Sequence, residues 1–172
     1  MPDNTSSLTF LVTGASSGIG LATVQMLLNR GYHVIGIARD HSKSRIDNKN
    51  YIPVTLDLAK LDEVDQKFRQ LCREHHLEGL IHCAGEGLFG SIEQFSATQI
   101  DHNLRTNLTS ALLLAHHLLP PMRRRKSGRI IFIGSESAFQ GGRKGALYCS
   151  AKFGLRGLAF SLREDCSRDG IT

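Results

Sequence analysis

The chain has 172 residues, 41% of them hydrophobic and 22% charged, which suits one globular domain spanning residues 1–172. Its net charge is +5, but the strongest basic cluster, Arg123–Lys126, has no interleaved aromatic residues, so nucleic-acid binding is not predicted. No apolar run reaches the roughly 18 residues of a membrane span, and the polar start Met1–Ser7 is unlike a secretory signal. A cytoplasmic protein without a membrane partner is therefore expected.

Strands and helices are predicted to alternate along the chain, from short apolar runs and from apolar residues at helical spacing. The predicted strands are Leu8–Thr13, His33–Ala38, Tyr51–Leu56, Gly79–Cys83 and Arg129–Gly134. The predicted helices are Ile19–Asn29, Leu61–His75, Gln99–Leu119 and Leu147–Arg168. This order predicts an α/β fold of Rossmann type, a doubly wound parallel sheet whose ligand binds beyond the carboxyl ends of the strands.

The basic cluster, the histidines and the cysteines are explained by the fold and do not predict a separate binding or metal site. The basic cluster Arg123–Lys126 follows the third predicted helix, where cations complement the helix dipole. No H-E-x-x-H motif occurs among the eight histidines, so no metal site is predicted. The four cysteines form no C-x-x-C pair and are expected to be reduced thiols. They are Cys72, Cys83, Cys149 and Cys166.

The first predicted strand runs into the glycine-rich segment Thr13–Gly20 and then into a helix. Glycine lets a backbone approach a phosphate closely, and a helix N-terminus offers unpaired N–H groups to an anion. The residues expected to bind a dinucleotide pyrophosphate are Gly14, Ser16, Ser17, Gly18, Ile19 and Gly20. The same segment also matches G-x-S-x-G, the nucleophile elbow of serine hydrolases, with Ser16 as nucleophile. That alternative lacks an earlier strand whose loop could supply the oxyanion donor.

The end of the second predicted strand carries Arg39 and Asp40. At this place an acid binds the ribose 2′-hydroxyl of NAD, whereas an arginine pairs with the 2′-phosphate of NADP. Arg39 favours NADP(H) over NAD(H). Asp40 would favour NAD(H) if the strand ended one residue later.

Three polar residues form a candidate catalytic group. Tyr148 and Lys152 are spaced i and i+4, so they share one face of a helix, and Ser135 lies at the carboxyl end of a predicted strand. Reduction of a carbonyl needs a proton donor at its oxygen, and oxidation of an alcohol needs a base there. An ammonium about 4 Å from the phenolate is worth roughly 4 kcal/mol at an effective dielectric of about 20. The lysine can therefore make the tyrosine a usable acid–base group.

Together these motifs resemble the short-chain dehydrogenase/reductase family in its compact branch, including the 13-residue step from Ser135 to Tyr148. The resemblance implies an NADP(H)-dependent oxidoreductase that acts on a small-molecule alcohol or carbonyl. In it, Tyr148 exchanges the proton, Ser135 hydrogen-bonds the substrate oxygen, and Lys152 supports the tyrosine and holds the nicotinamide ribose. Ser137 is a weaker alternative to Ser135, because its spacing to the tyrosine is two residues short.

The same resemblance assigns further residues. Asn107 would anchor a water-mediated proton relay near the lysine. The remaining cofactor-binding residues that it implies are Asp57, Leu58, Ala84 and Gly85, together with Tyr148 and Lys152. The family commonly associates through two apolar helices, which implies a homodimer or homotetramer.

Two departures from the family pattern leave an alternative open. Cys83 stands where the family usually has asparagine, and the chain reaches Thr172 where the family would begin another strand. The resemblance therefore implies that the last two strands and most substrate-selecting residues are absent, through truncation or otherwise. A dinucleotide-binding module without turnover, such as a sensor or scaffold, is the alternative function.

Overall fold

A computed structural model describes residues 8–42 and 44–172, so the polar start Met1–Ser7 lies outside the described residues. In the described part of the chain, the sheet has five strands, all parallel, in the order β3-β2-β1-β4-β5. The strands are β1 (Thr9–Thr13), β2 (His33–Ala38), β3 (Tyr51–Thr55), β4 (Leu77–His82) and β5 (Arg129–Phe132). The predicted α/β fold with a doubly wound parallel sheet is confirmed.

Helices follow every strand except β2, which leads to β3 without one. They are α1 (Gly18–Asn29), α2 (Leu61–Glu74), α3 (Ala97–Leu104), α4 (Ser110–Arg125) and α5 (Ala146–Asp165). A π-helical segment, Arg105–Thr109, joins α3 to α4, and a short 3₁₀ turn, Glu136–Ala138, follows β5. None of the helices in the described residues is long and apolar enough to cross a membrane.

Apolar residues cover both faces of the sheet, because successive side chains of a strand point to opposite faces. On β1, Phe10 and Val12 belong to a core cluster that includes Val24 of α1. Leu11 belongs to a second cluster, which includes Phe68 of α2 and Leu114 of α4. The near-continuous apolar strands are therefore explained by burial on two sides.

The third predicted helix, Gln99–Leu119, differs from the structure at both ends and in the middle. The helical stretch begins at Ala97, passes through the π-helical segment and ends at Arg125, beyond Pro120 and Pro121. A proline has no N–H to donate to the carbonyl four residues earlier. Here the carbonyl of His117, which Pro121 leaves free, accepts the Cys72 thiol at 3.7 Å. The helix thus continues where the sequence indicated a stop, and one of the two carbonyls that the prolines leave without a helix donor has a side-chain partner.

The position predicted for the basic cluster Arg123–Lys126 is therefore wrong, because its three arginines form the last turn of α4. Arg123 Nε donates to Asp169 Oδ2 at 2.9 Å, and Arg125 donates to the main-chain carbonyl of Leu77. Lys126 adopts a left-handed conformation, with φ +53°, and ends the helix. Through these hydrogen bonds, Arg123 and Arg125 connect the end of α4 to Asp169 and to Leu77 of β4.

Residues 171–172 run parallel to β5 on the side away from β4. Ile171 pairs with Gly128. Thr172 N donates to the Gly128 carbonyl at 3.0 Å, and Ile130 N donates to the Thr172 carbonyl at 2.8 Å. The last two residues thus extend the hydrogen bonding of the sheet beyond β5.

Candidate active site

A cleft of about 310 Å³ lies where strands β1 to β4 end. The strand order reverses between β1 and β4, which is where doubly wound sheets bind their ligands. Eleven of the predicted cofactor residues line it, all except Tyr148 and Lys152. They are Gly14, Ser16, Ser17, Gly18, Ile19, Gly20, Arg39, Asp57, Leu58, Ala84 and Gly85. Sequence reasoning missed six other lining residues, Ile37, Ala38, Leu56, Cys83, Glu86 and Thr106.

The glycine-rich loop owes its shape to the absence of side chains. Gly14 and Gly18 have positive φ angles of +67° and +51°, a region that favours glycine. A β-carbon on Gly20 would lie only 2.1 Å from the Gly14 carbonyl oxygen, and one on Gly14 would lie 3.0 Å from Ala84 N. Helix α1 begins at Gly18, so the unpaired N–H groups of its first turn lie at the cleft.

Arg39 and Asp40, which compete in the sequence for the same role, are used differently. The Arg39 side chain is 64% exposed, lines the cleft, and has Nη1 3.7 Å from Glu86 Oε2. The Asp40 carboxylate accepts hydrogen bonds from Ser42 N at 2.8 Å and Ser42 Oγ at 2.9 Å. The acid thus stabilises the turn after β2, while the arginine faces the cleft.

The segment after β3 contributes Asp57 and Leu58 to the cleft wall. Asp57 Oδ1 accepts the main-chain N–H of Ala59 at 3.0 Å, and Leu58 is buried against the core. The hydrogen bond fixes the orientation of the carboxylate at the cleft.

Lys152 is a buried cation beside the Gly85 end of the cleft. Its side chain is on α5, and Nζ donates to the Ile133 carbonyl at 3.0 Å. A β-carbon on Gly85 would lie 3.6 Å from this Nζ. Burial lowers the pKa of the lysine, and the nearby Cys83 thiol acts in the opposite direction. The main-chain oxygen partly replaces the water that the ammonium loses.

Tyr148 lies one helical turn before Lys152, whose Nζ is 5.7 Å from the centre of the phenol ring. The shared helix face predicted from the i, i+4 spacing therefore brings the two groups together. On another side, the ring of Phe89 lies 5.2 Å from the tyrosine ring, centre to centre. Phe89 is 62% exposed and comes from the loop after β4. An apolar surface thus adjoins the phenol, and nothing in the spacing of the motifs indicated it.

Asn107 is completely buried in the π-helical segment, where the Ser110 N–H bonds to the Arg105 carbonyl. Its Oδ1 accepts Glu86 N at 3.1 Å, and its Nδ2 donates to the Glu86 carbonyl at 3.1 Å. A β-carbon on Gly85 would lie 2.8 Å from Oδ1. The asparagine therefore fixes the chain beside Lys152 through both the N–H and the carbonyl of one residue, Glu86.

Ser135 begins the 3₁₀ turn that follows β5, two residues after Ile133, the residue that accepts the Lys152 hydrogen bond. Its Oγ accepts Ser137 N at 3.1 Å. The hydroxyl oxygen thus has a main-chain donor, and the hydroxyl proton is available for another acceptor. Ser137, the alternative candidate, serves through its main chain as that donor.

His82, which sequence reasoning missed, connects β4 to β1 beneath the cleft. Its Nδ1 lies 2.9 Å from Thr13 Oγ1, which also accepts Ala84 N at 3.1 Å. Burial, with a smaller contribution from the Lys152 charge, lowers the pKa of His82 to about 3. The imidazole is therefore neutral at pH 7. Its location at the carboxyl end of a buried strand was the available signal.

Cys83, next along the chain, is a half-buried thiol in the cleft wall. Burial raises its pKa, and the Thr23 hydroxyl and the Lys152 charge counteract this only in part. In the described part of the chain, no group of three or more His, Cys, Asp or Glu side chains is placed to hold a metal ion.

Comparisons with known proteins identify the family. The short chain dehydrogenase family model matches residues 8–172. The 3-oxoacyl-(acyl-carrier-protein) reductase FabG of Buchnera aphidicola subsp. Acyrthosiphon pisum is 30% identical over 174 aligned positions, which cover 98% of this chain and 71% of that protein. Asnovolin H dehydrogenase of Aspergillus novofumigatus is 32% identical over 152 positions, which cover 86% of this chain and 59% of that enzyme.

Comparison with solved structures identifies the same family. A metagenomic short-chain oxidoreductase in complex with NADP is 29% identical, with a TM-score of 0.89, over 95% of this chain and 78% of that one. A bulky-bulky ketone specific alcohol dehydrogenase from Comamonas testosteroni is also 29% identical, with a TM-score of 0.86, over 97% of this chain and 70% of that one. The matched region thus amounts to 59% to 78% of the length of these four relatives. The chain belongs to the short chain dehydrogenase family.

Proposed function

We propose that this chain is the cofactor-binding and catalytic part of an NADP(H)-dependent oxidoreductase that interconverts an alcohol and a carbonyl. The observation that carries the proposal is the pairing of Tyr148 with the buried Lys152, whose ammonium lies beside the Gly85 end of the glycine-rich cleft. Family membership supports the same chemistry and removes the support for a serine hydrolase that uses Ser16.

The cleft fits a nicotinamide dinucleotide on four structural grounds. It lies at the switch point of the sheet, where the strand order reverses. Its glycine-rich wall carries no side chains at the positions where the main chain packs most closely. The N-terminus of α1 supplies N–H groups suited to a pyrophosphate. Asp57 also lines the cleft, where its carboxylate can accept a hydrogen bond from the adenine.

When bound, the nicotinamide supplies or accepts the hydride. The chain's residues would then handle the proton and the developing charge. The Tyr148 hydroxyl donates its proton to a carbonyl oxygen in reduction and removes one from an alcohol in oxidation. Ser135, whose oxygen already accepts a main-chain N–H, donates its hydroxyl proton to the same substrate oxygen. The Lys152 ammonium would stabilise the ionised phenol and would hold the nicotinamide ribose, and Asn107 would anchor the proton relay.

We further propose that NADP(H) is preferred over NAD(H). Arg39 lines the cleft with a largely exposed guanidinium, which pairs well with a phosphate dianion. Asp40 already accepts two hydrogen bonds from Ser42. The metagenomic relative that carries NADP supports the same preference.

The substrate is proposed only as a small-molecule alcohol or carbonyl. We also propose a homodimer or homotetramer, supported by exposed apolar side chains on α4 and α5, namely Leu112, Phe153 and Phe160. A cytoplasmic location stays a prediction from the sequence.

Replacing Tyr148 with phenylalanine tests the function. We expect turnover of NADPH with a panel of ketones to fall by about 10²- to 10⁴-fold, because the proton donor is lost, while the NADPH dissociation constant stays within about twofold. Tyr32→Phe is the matched control, since that ring packs against Phe10 at 5.1 Å, at the other end of β1, and should leave turnover unchanged.

Three outcomes would count against the proposal. Equal turnover in Tyr148→Phe and wild type would remove the mechanism. A wild-type protein that binds NADPH but reduces no carbonyl and oxidises no alcohol would indicate a dinucleotide-binding module without turnover. No binding of either nucleotide would remove the cofactor assignment itself.

A further inference from the structure

Glu86 places a negative charge inside the proposed cofactor cleft. Its Oε2 lies 3.7 Å from Arg39 Nη1, and its Oε1 lies 3.5 Å from Nε2 of His102 on α3. Its side chain is 38% exposed and lines the cleft together with the arginine. The carboxylate therefore occupies the position of an anion next to the guanidinium that we assign to the 2′-phosphate.

The main chain at Glu86 is fixed, so this placement does not come from a free loop end. Asn107 bonds to both the N–H and the carbonyl of Glu86, at 3.1 Å each. Asn103 Nδ2 donates to the same carbonyl at 3.3 Å. Both asparagines are fully buried, so the residue is anchored to α3 and to the π-helical segment. Its side chain projects from a rigid point toward the end of β2.

We propose that Glu86 is a specificity-determining residue, whose carboxylate competes with the 2′-phosphate of NADP(H) for Arg39. The inference rests on the proposed function and adds a regulator of cofactor choice to it. To bind, NADPH would have to displace the Glu86 carboxylate from the Arg39 guanidinium. Its 2′-phosphate would then still lie near this carboxylate, which carries a charge of the same sign. NADH has no phosphate at this position, so it would meet neither cost.

The size of the effect follows from the exposure of the pair. Arg39 is 64% exposed and the separation is 3.7 Å, so water and salt screen the interaction strongly. Exposed ion pairs of this kind alter equilibria by up to about fivefold, and the removed repulsion adds to this. We therefore expect Glu86 to weaken NADPH binding by about 3- to 10-fold and to leave NADH binding within about twofold.

The test is the dissociation constant of each reduced nucleotide, measured by its fluorescence at low ionic strength, in four proteins. These are wild type, Glu86→Gln, Arg39→Gln and the double variant. Glu86→Gln should tighten NADPH binding by about 3- to 10-fold, and this gain should be smaller in the Arg39→Gln background, where only the repulsion between the carboxylate and the phosphate is left to remove. Glu93→Gln is the matched control, an exposed glutamate outside the cleft lining, and should change neither constant.

Glu86→Asp gives a second reading, because it keeps the charge on a shorter side chain and leaves the main-chain bonds to Asn107 unchanged. Its NADPH affinity should lie between those of wild type and Glu86→Gln. An unchanged NADPH-to-NADH affinity ratio in Glu86→Gln, or a gain of undiminished size in the Arg39→Gln background, would overturn the inference while the proposed function stands. Wild-type protein that binds neither nucleotide would overturn both.

Discussion

The glycine-rich loop and the Lys152 corner (Lys152, Asn107 and His82) lie at the same edge of the sheet, but they are built in opposite ways. The shape of the loop requires glycine, because a β-carbon on Gly20 would lie 2.1 Å from a carbonyl oxygen. The corner depends on polar atoms that are present, since buried Lys152, Asn107 and His82 each have hydrogen-bond partners within the chain. The first region should therefore fail when atoms are added, and the second when a charge or a polar partner is changed.

The largest effect is expected from Gly20→Ala, which adds one methyl group to the loop. The clash is with main chain and not with a flexible side chain, so the loop has to move. We expect a loss of about 1–3 kcal/mol in the free energy of unfolding, as for other overpacked sites. The NADPH dissociation constant should rise by about 10- to 100-fold if the same energy is lost from binding. Urea unfolding and a fluorescence titration measure the two quantities.

Gly157→Ala is the matched control, because it adds the same group inside α5 with no atom within 4 Å of the new β-carbon. Alanine is preferred over glycine inside a helix by about 0.5–1 kcal/mol, so this variant should be more stable than wild type. If both alanine variants behaved alike, close packing would not be what distinguishes the loop.

A smaller effect, visible only on acidification, is expected from His82→Asn in the corner. The folded pKa of His82, about 3, lies below the unfolded value of 6.5. The unfolded chain therefore takes up a proton first, and stability falls as the pH decreases from about 6.5 towards 3. At 1.36 kcal/mol per pH unit, this residue accounts for about 2 kcal/mol of lost stability between pH 6.5 and 5.

The measurement is the free energy of unfolding at pH 7, 6 and 5. The decrease on acidification should be about 2 kcal/mol smaller in His82→Asn than in wild type. His76→Asn, at an exposed position, should follow the wild-type curve. A His82→Asn curve parallel to that of wild type would mean that the imidazole is not held neutral in the folded protein.

The smallest effect is expected from Phe89→Ala, beside the candidate tyrosine. The ring is 62% exposed, so stability should change by no more than about 0.5 kcal/mol. A bulky apolar ketone that packs on this ring should show a KM about three- to fivefold higher, with kcat little changed. Phe160→Ala, which removes an exposed ring from α5, is the comparison, and equal KM values for both variants would exclude Phe89 from the substrate surface.

Local sequence patterns were sufficient for most elements and for one side of the site. The second strand was predicted with its observed bounds, and eleven of the thirteen residues predicted to bind the cofactor line the cleft. The helix predicted to end at Leu119 shows the limit of such patterns. It continues through Pro121, and the carbonyl that this proline leaves free accepts the thiol of Cys72, a residue distant in the sequence that meets it only in the folded chain.

The sequence by itself determined the order of the candidate functional motifs along the chain. These are a glycine-rich loop, an arginine after the second strand, and a tyrosine and a lysine four residues apart. These features are local, and each is fixed by spacing along one element. Only the tertiary structure decided which groups meet across elements: Glu86 with Arg39, His82 with Thr13, and Phe89 with Tyr148. Such contacts depend on how parallel strands and their loops are brought to one edge, and no periodicity within a single segment records that arrangement.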